Sequence, residues 1–196
     1  MCGIVGYVGS RPSQDILMAG LSRLEYRGYD SAGIAVVADD GTLGMRKRAG
    51  KLKVLRDDLA AEPLAAGTMG IGHTRWATHG GPTDVNAHPH LADDGKLALS
   101  HNGIIENFAE LRDELSSEGY TFLSETDSEV AAVLLGREYR KLGDLQAAFR
   151  SVAGRLEGAF TLLAVHQDLP GLVLGARRNS PLVIGLGEGE NFLGSD

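Results

Sequence analysis

A single cysteine occurs in the 196 residues, which excludes an internal disulfide framework. No apolar run approaches the ~18–20 residues needed to cross a bilayer. The N-terminus lacks the basic-then-apolar order of a secretory signal, so the expected compartment is the cytoplasm. Positive charge is also in short supply. Lys and Arg number 19 against 26 Asp and Glu, a net charge of −7. Nucleic acid needs a basic footprint, and anionic membranes attract one, so neither partner is expected. No stretch rich in Pro or Ser marks a linker, and the length suits one domain, residues 2–196. Glycine breaks this sparseness. The chain holds 27, about twice ordinary usage, and they punctuate strand-like runs as tight turns and close backbone approaches require.

The pattern predicts strands over 3–9, 32–38, 42–49, 68–76 and 96–103. A helix over 13–26 carries Ile16, Leu17, Leu21 and Leu24 at helical spacing and stops at Arg27-Gly28. Residues 51–61 form a short helix closed by Pro63. Asn107-Phe-Ala-Glu110 and Thr126-Asp-Ser-Glu129 have capping-box spacing and open helices to about 118 and 141. A third helix covers 144–155, and the chain closes with strands over 158–166, 171–177, 181–186 and 190–194. Hairpin-linked strands thus surround a central helical block. That order favours an α+β fold with antiparallel sheets over a doubly wound parallel sheet. Two sheets back to back between helical layers would use this inventory.

The lone thiol is Cys2, directly behind the initiator methionine. It fits a small buried hydrophobe, the common fate of free cysteine. It also fits a nucleophile. Enzymes that trim initiator methionine accept a small second residue, and removal of Met1 would give Cys2 a free α-amine. With a pKa of ~7.7–8.0, that amine is partly unprotonated near neutrality and can act as a general base for its own thiol. Position alone leaves the two readings even. Three other stretches carry chemistry-bearing residues. HTRWATHG (73–80) places His73, Arg75, Trp76, Thr78 and His79 in one polar stretch. HNG (101–103) is either a plain turn or an oxyanion site made by the Asn102 amide and the Gly103 N–H. ETDSEV (125–130) puts Asp127 at a helix start, as a cap or as an anchor for an ammonium group. Taken singly, each residue fits a structural role at least as well. Together they supply a nucleophile, an oxyanion site, a cation and an anion, the last two matching the ends of an α-amino acid.

The stretches MCGIVGYVG, LEYRGYDSAGIAVV, GHTRWATHG, VNAHPH, HNGIIEN, SETDSEV and SPLVIGLGEGENFLGSD resemble the N-terminal glutaminase domains of the glucosamine-6-phosphate synthase family. Those domains are class II glutamine amidotransferases, a group of N-terminal-nucleophile hydrolases. The resemblance implies a four-layer αββα sandwich of two mainly antiparallel sheets. It implies that Cys2 attacks the carboxamide of L-glutamine, releasing ammonia and then glutamate through a thioester. Asn102 and Gly103 match the oxyanion hole, Arg75 the α-carboxylate grip and Asp127 the α-amine anchor. Thr78 and His79 match further glutamine-loop positions, and Trp76 an aromatic guarding the ammonia path. Arg27 and Tyr29 lie in a motif near the nucleophile and take a supporting role. No cofactor is implied. In the family, sugar-isomerase domains follow and receive the ammonia on fructose 6-phosphate. They are absent from this chain, and since they carry most dimer contacts, a monomer is expected.

Two rival readings stand beside this one. His73, His79, His88, His90, His101 and Asp127 offer enough ligands for a metal-dependent hydrolase, although no i, i+4 pair on a helix supports such a site. A domain retaining Met1 would lack the amine and could bind glutamine without hydrolysing it.

Overall fold

The computed structural model describes residues 2–77 and 80–196. Their ten strands form two sheets whose pairings are antiparallel. The first sheet contains β1 (Gly3–Val8), β2 (Ser31–Val37), β3 (Leu43–Ala49), β4 (Met69–Arg75), β9 (Val183–Leu186) and β10 (Asn191–Gly194), in the order β3-β2-β4-β1-β10-β9. The second contains β5 (His90–Leu91), β6 (Leu97–Gly103), β7 (Phe160–His166) and β8 (Leu174–Arg178), in sequence order.

Period-two alternation decides which layer each strand residue enters. In β2, Ile34 and Val36 face α1 (Ser13–Leu24) and α2 (Leu52–Ala61), joining Leu17, Leu21, Leu55 and Leu59 in one core. Ala35 and Val37 face the other way, with Ile4, Ile71, Ala98, Leu163 and Val165 between the sheets. On the far side, Leu97, Leu99 and Leu162 pack under α3 (Phe108–Ser117), α4 (Asp127–Leu142) and α5 (Leu145–Arg155). The four layers are therefore helices, sheet, sheet and helices, an αββα sandwich.

Local chemistry explains where several elements begin and end. Helix α1 stops at Leu24 and tightens into a 3-10 turn over Glu25–Arg27, two residues short of the expected single helix. Gly28 follows because a Cβ there would sit 2.7 Å from the Arg75 carbonyl carbon. Thr126 caps α4, accepting from the Glu129 amide, but Glu129 turns back to the Leu123 and Ser124 amides instead of closing a reciprocal box. Asn107 caps nothing: it donates to the Arg155 carbonyl (2.9 Å) and accepts from the Glu157 amide (3.0 Å), stapling the start of α3 to the end of α5. Strand β5 was not expected. Its two residues pair with β6, and nothing in so short a run announces a strand.

Among the described residues, no helix is long and apolar enough to cross a membrane.

Candidate active site

Four element ends meet at one end of the sandwich. Strand β1 begins there, β4 and β6 finish there, and α4 starts there. They enclose a cavity of about 380 Å³, within the ~300–1,000 Å³ range of small-molecule sites. Cys2, Arg75, Trp76, Asn102, Gly103, Asp127 and Arg27 all line it. Tyr29 does not line it but packs edge-on against Trp76, with ring centroids 5.3 Å apart, and both rings are about half exposed. Thr78 and His79 lie outside the described residues.

Cys2 is half-buried. Its Sγ accepts from the Trp76 amide at 3.2 Å. Burial pushes the thiol up, against the lowering effect of that bond, so thiolate is scarce near neutrality and the group needs a base to react. The Cys2 carbonyl is pinned from two sides, by Arg27 Nε and by Asn102 Nδ2, each at 3.1 Å. Arg27 in turn pairs with Asp196 at 3.4 Å.

Asn102 spends one amide proton on Cys2 and keeps a second. Beside it, Gly103 has φ +116°, a conformation that L side chains rarely adopt. A Cβ there would overlap the Ala159 carbonyl oxygen. The glycine thus lets the backbone turn out of β6 at the cavity wall while Ile104 N still donates to that oxygen at 3.1 Å.

Arg75 and Asp127 bring opposite charges to the same cavity, and both are almost fully buried. Arg75 reaches past β4 and donates to the carbonyls of Gly80 (3.1 Å) and Gly81 (3.2 Å). The loop it grips is held from the other side by Lys47, whose ammonium donates to Val85 and Ala87 carbonyls at 3.0 and 2.8 Å. Burial lowers the Lys47 ammonium to about 8. Asp30 steadies the same region by accepting from the Ala77 amide.

Asp127 is the first residue of α4 and accepts from the Ile105 amide at 2.9 Å. Burial acts to raise its carboxyl, but the His101 ring, the Ile105 amide and Ser128 outweigh it and hold the group at about 2. His101 does not touch it directly, being 3.7 Å away. Ser128 bridges them. Its single proton goes to Asp127 Oδ1 (3.1 Å), so it accepts from His101 Nδ1 (2.8 Å). Beneath this lies a second relay. Ser124 Oγ donates to the Glu129 carboxylate (2.6 Å), so Thr126 donates to Ser124 (2.9 Å), and His90 Nε2 donates to Thr126 (3.0 Å).

Two of the histidines considered as metal ligands, His90 and His101, are thus engaged in hydrogen bonds. His73, His88, His90 and His101 are buried, and burial holds His73 down to about 3 and His88 and His90 well below the usual imidazole range. Among the described residues, no three His, Cys, Asp or Glu side chains are placed to share a metal ion.

A profile described as "Glutamine amidotransferase domain" matches residues 73–195. The chain belongs to this family. A glutamine–fructose-6-phosphate aminotransferase (isomerizing) from Leifsonia xyli is 74% identical over all 196 residues, and one from Streptomyces coelicolor is 65% identical. The chain spans 32% of each, about a third of their length. Among solved structures, glutamine phosphoribosylpyrophosphate amidotransferase from B. subtilis superposes with a TM-score of 0.84 at 27% identity, over 99% of this chain and 42% of that one.

The arrangement sets a thiol, the Asn102 amide, the backbone turn at Gly103 and two buried side chains of opposite charge around one small cavity. Sequence reasoning missed the residues behind them: Asp30, Lys47, Ser128 and the contact of His73 Nε2 with Asn102 Oδ1 at 2.9 Å. The available signal was polar residues at inward positions of otherwise apolar strands, as with His73 in MGIGHTR.

Proposed function

We propose that this domain hydrolyses L-glutamine, with Cys2 as an N-terminal nucleophile freed by removal of Met1. The α-amine accepts the thiol proton, directly or through one water, and Sγ adds to the glutamine carboxamide carbon. The Asn102 Nδ2–H and the Gly103 N–H receive the developing oxyanion. Collapse breaks the C–N bond, the amine returns a proton, ammonia leaves, and water cleaves the γ-glutamyl thioester to glutamate. Arg75 holds the substrate α-carboxylate and Asp127 its α-ammonium, with Thr78 and His79 completing the glutamine pocket. Trp76, braced by Tyr29, stands at the mouth through which ammonia departs, and Arg27 steadies the nucleophile through the Cys2 carbonyl.

The observation that carries this reading is the convergence of Cys2, Asn102, Gly103, Arg75 and Asp127 on one cavity from four separate elements. The raised thiol supports it, because a reluctant thiol requires the adjacent base that a freed chain end provides. We further propose that the domain works in the cytoplasm within a longer polypeptide. Its relatives' name points to sugar-isomerase domains there, with fructose 6-phosphate as the ammonia acceptor. By itself the domain would be a monomeric glutaminase that needs no cofactor.

Intact mass spectrometry combined with an ammonia-release assay tests the reading. Protein beginning at Cys2 should turn over glutamine. Protein retaining Met1 should bind glutamine without turnover, and Cys2→Ala should be folded and inactive. Comparable turnover by the Met1-retaining form would overturn the role of the amine.

A further inference from the structure

The Asn102 amide can serve an oxyanion only in one of its two flipped orientations, and the structure holds a device that selects it. His73 lies in the interior of β4, paired in register with Ile4 on one side and Gly33 on the other, and its ring is fully buried. Its Nε2 sits 3.0 Å from the His101 carbonyl oxygen and 2.9 Å from Asn102 Oδ1. A backbone carbonyl can only accept, so Nε2 must carry the hydrogen. The atom of Asn102 that faces it must then be the amide oxygen. That choice turns Nδ2 toward Cys2 and the cavity.

We propose that His73 is the positioning residue that fixes the Asn102 amide in its oxyanion-donating orientation, its own tautomer being set by the His101 carbonyl. This rests on the reading of Asn102 as an oxyanion donor. The Cys2 carbonyl favours the same orientation, but it belongs to the residue that reacts and lies just ahead of β1. His73 is anchored between two strands and cannot follow it. The ring moves no proton in this role. Its Nδ1 is buried with no hydrogen-bond partner among the described residues, and burial keeps the imidazole neutral at any working pH.

The test is a double-mutant cycle on the glutaminase, using His73→Leu, Asn102→Ala and the pair together, with His73→Gln as the conservative variant. His73→Leu should lower kcat about 10- to 100-fold, below the ~10²–10³ limit for losing an oxyanion donor outright. KM for glutamine should stay within about threefold. His73→Gln, whose amide can still donate to Oδ1, should recover part of the loss. In the Asn102→Ala background, His73→Leu should cost nothing more, because there is no amide left to orient. Alkylation of Cys2 by iodoacetamide, which develops no oxyanion on a carbonyl, should proceed at the same rate in His73→Gln as in the parent. Multiplying losses in the double variant, or a His73→Leu kcat within about twofold of the parent, would overturn the proposal. If Asn102→Ala alone leaves kcat unchanged, the oxyanion reading itself fails and the inference falls with it. Should His73→Leu misfold, nitrogen NMR of the unaltered protein decides. The Nε2–H tautomer should persist as the pH falls to about 4, given a ring held near 3. An Nδ1–H tautomer or an imidazolium near neutrality would refute it.

Discussion

Gly103→Ala probes the cavity wall most directly. Two effects add at this position. The backbone sits at φ +116°, where an L residue is strained, and the new Cβ would overlap the Ala159 oxygen while coming within 3.0 Å of the Ala159 carbonyl carbon and Phe160 Cα. Those atoms belong to β7 or its approach and cannot retreat, because Ala159 O already holds the Ile104 amide. Gly95 separates the two effects. It has φ +72° in an exposed turn, and a Cβ there meets nothing within 4 Å. Gly95→Ala should therefore cost only the conformational term, about 1–2 kcal/mol. At a urea m-value of ~2 kcal/mol/M, this lowers the unfolding midpoint by roughly 0.5–1 M, with kcat unchanged. Gly103→Ala must add displacement of the backbone N–H assigned to the oxyanion. Its kcat should fall by ~10²–10³, equivalent to ~2.7–4 kcal/mol, with a larger midpoint shift than at Gly95. Urea titration and steady-state ammonia release measure both quantities on the same samples. Equal midpoint shifts for the two variants, together with a Gly103→Ala kcat within threefold of the parent, would refute the reasoning.

Three further outcomes follow from the buried polar groups. Asp127→Asn keeps an oxygen for the Ile105 amide but removes the charge, so KM for glutamine should rise ~10- to 100-fold, the worth of a charge-assisted hydrogen bond. The variant should also discriminate less against the analogue lacking the α-amine, and unchanged discrimination would remove Asp127 from the substrate-binding role. Thr126→Ala should destabilise the fold by about 2–4 kcal/mol in urea titration, combining a lost helix cap with a buried His90 N–H left without its acceptor. A cost below 1 kcal/mol would refute that relay. Finally, stability should decline as pH falls below about 6.5, the unfolded imidazole value. The unfolded chain then takes up protons on His73, His88 and His90, whose folded values are lowered by burial, so stability is present above that pH and lost beneath it. Calorimetric scans between pH 7.5 and 5 check this, and a flat profile would contradict it.

Much of this was legible in the chain because the layers rest on short-range periodicity. The leucine spacing in α1 dictates a face, and the small and apolar run SAGIAVV marks a strand buried on both sides, without reference to anything distant. The candidate site was legible for a different reason: its residues sit in compact motifs at element ends. What stayed hidden depends on pairs far apart in sequence. Asn107 has a cap's spacing, yet its amide is claimed by residues some 50 positions away. The orienting role of His73 is set by a carbonyl 28 residues along the chain. Lys47 reads as an ordinary exposed strand residue until the 80–89 loop folds over it.

The placement of β1 also has a consequence for the order of events during synthesis. The strand that follows Cys2 is flanked by β4 on one side and β10 on the other. Its second neighbour is made some 180 residues after it, which at 5–20 residues per second is a delay of roughly 10–40 s. Through that interval β1 has β4 alone as a possible partner in the sheet. Once β10 docks, Val5 to Val8 gain their second neighbour. The first sheet is thereby joined across β1 by β10, so its assembly waits for residues 191–194 to be made.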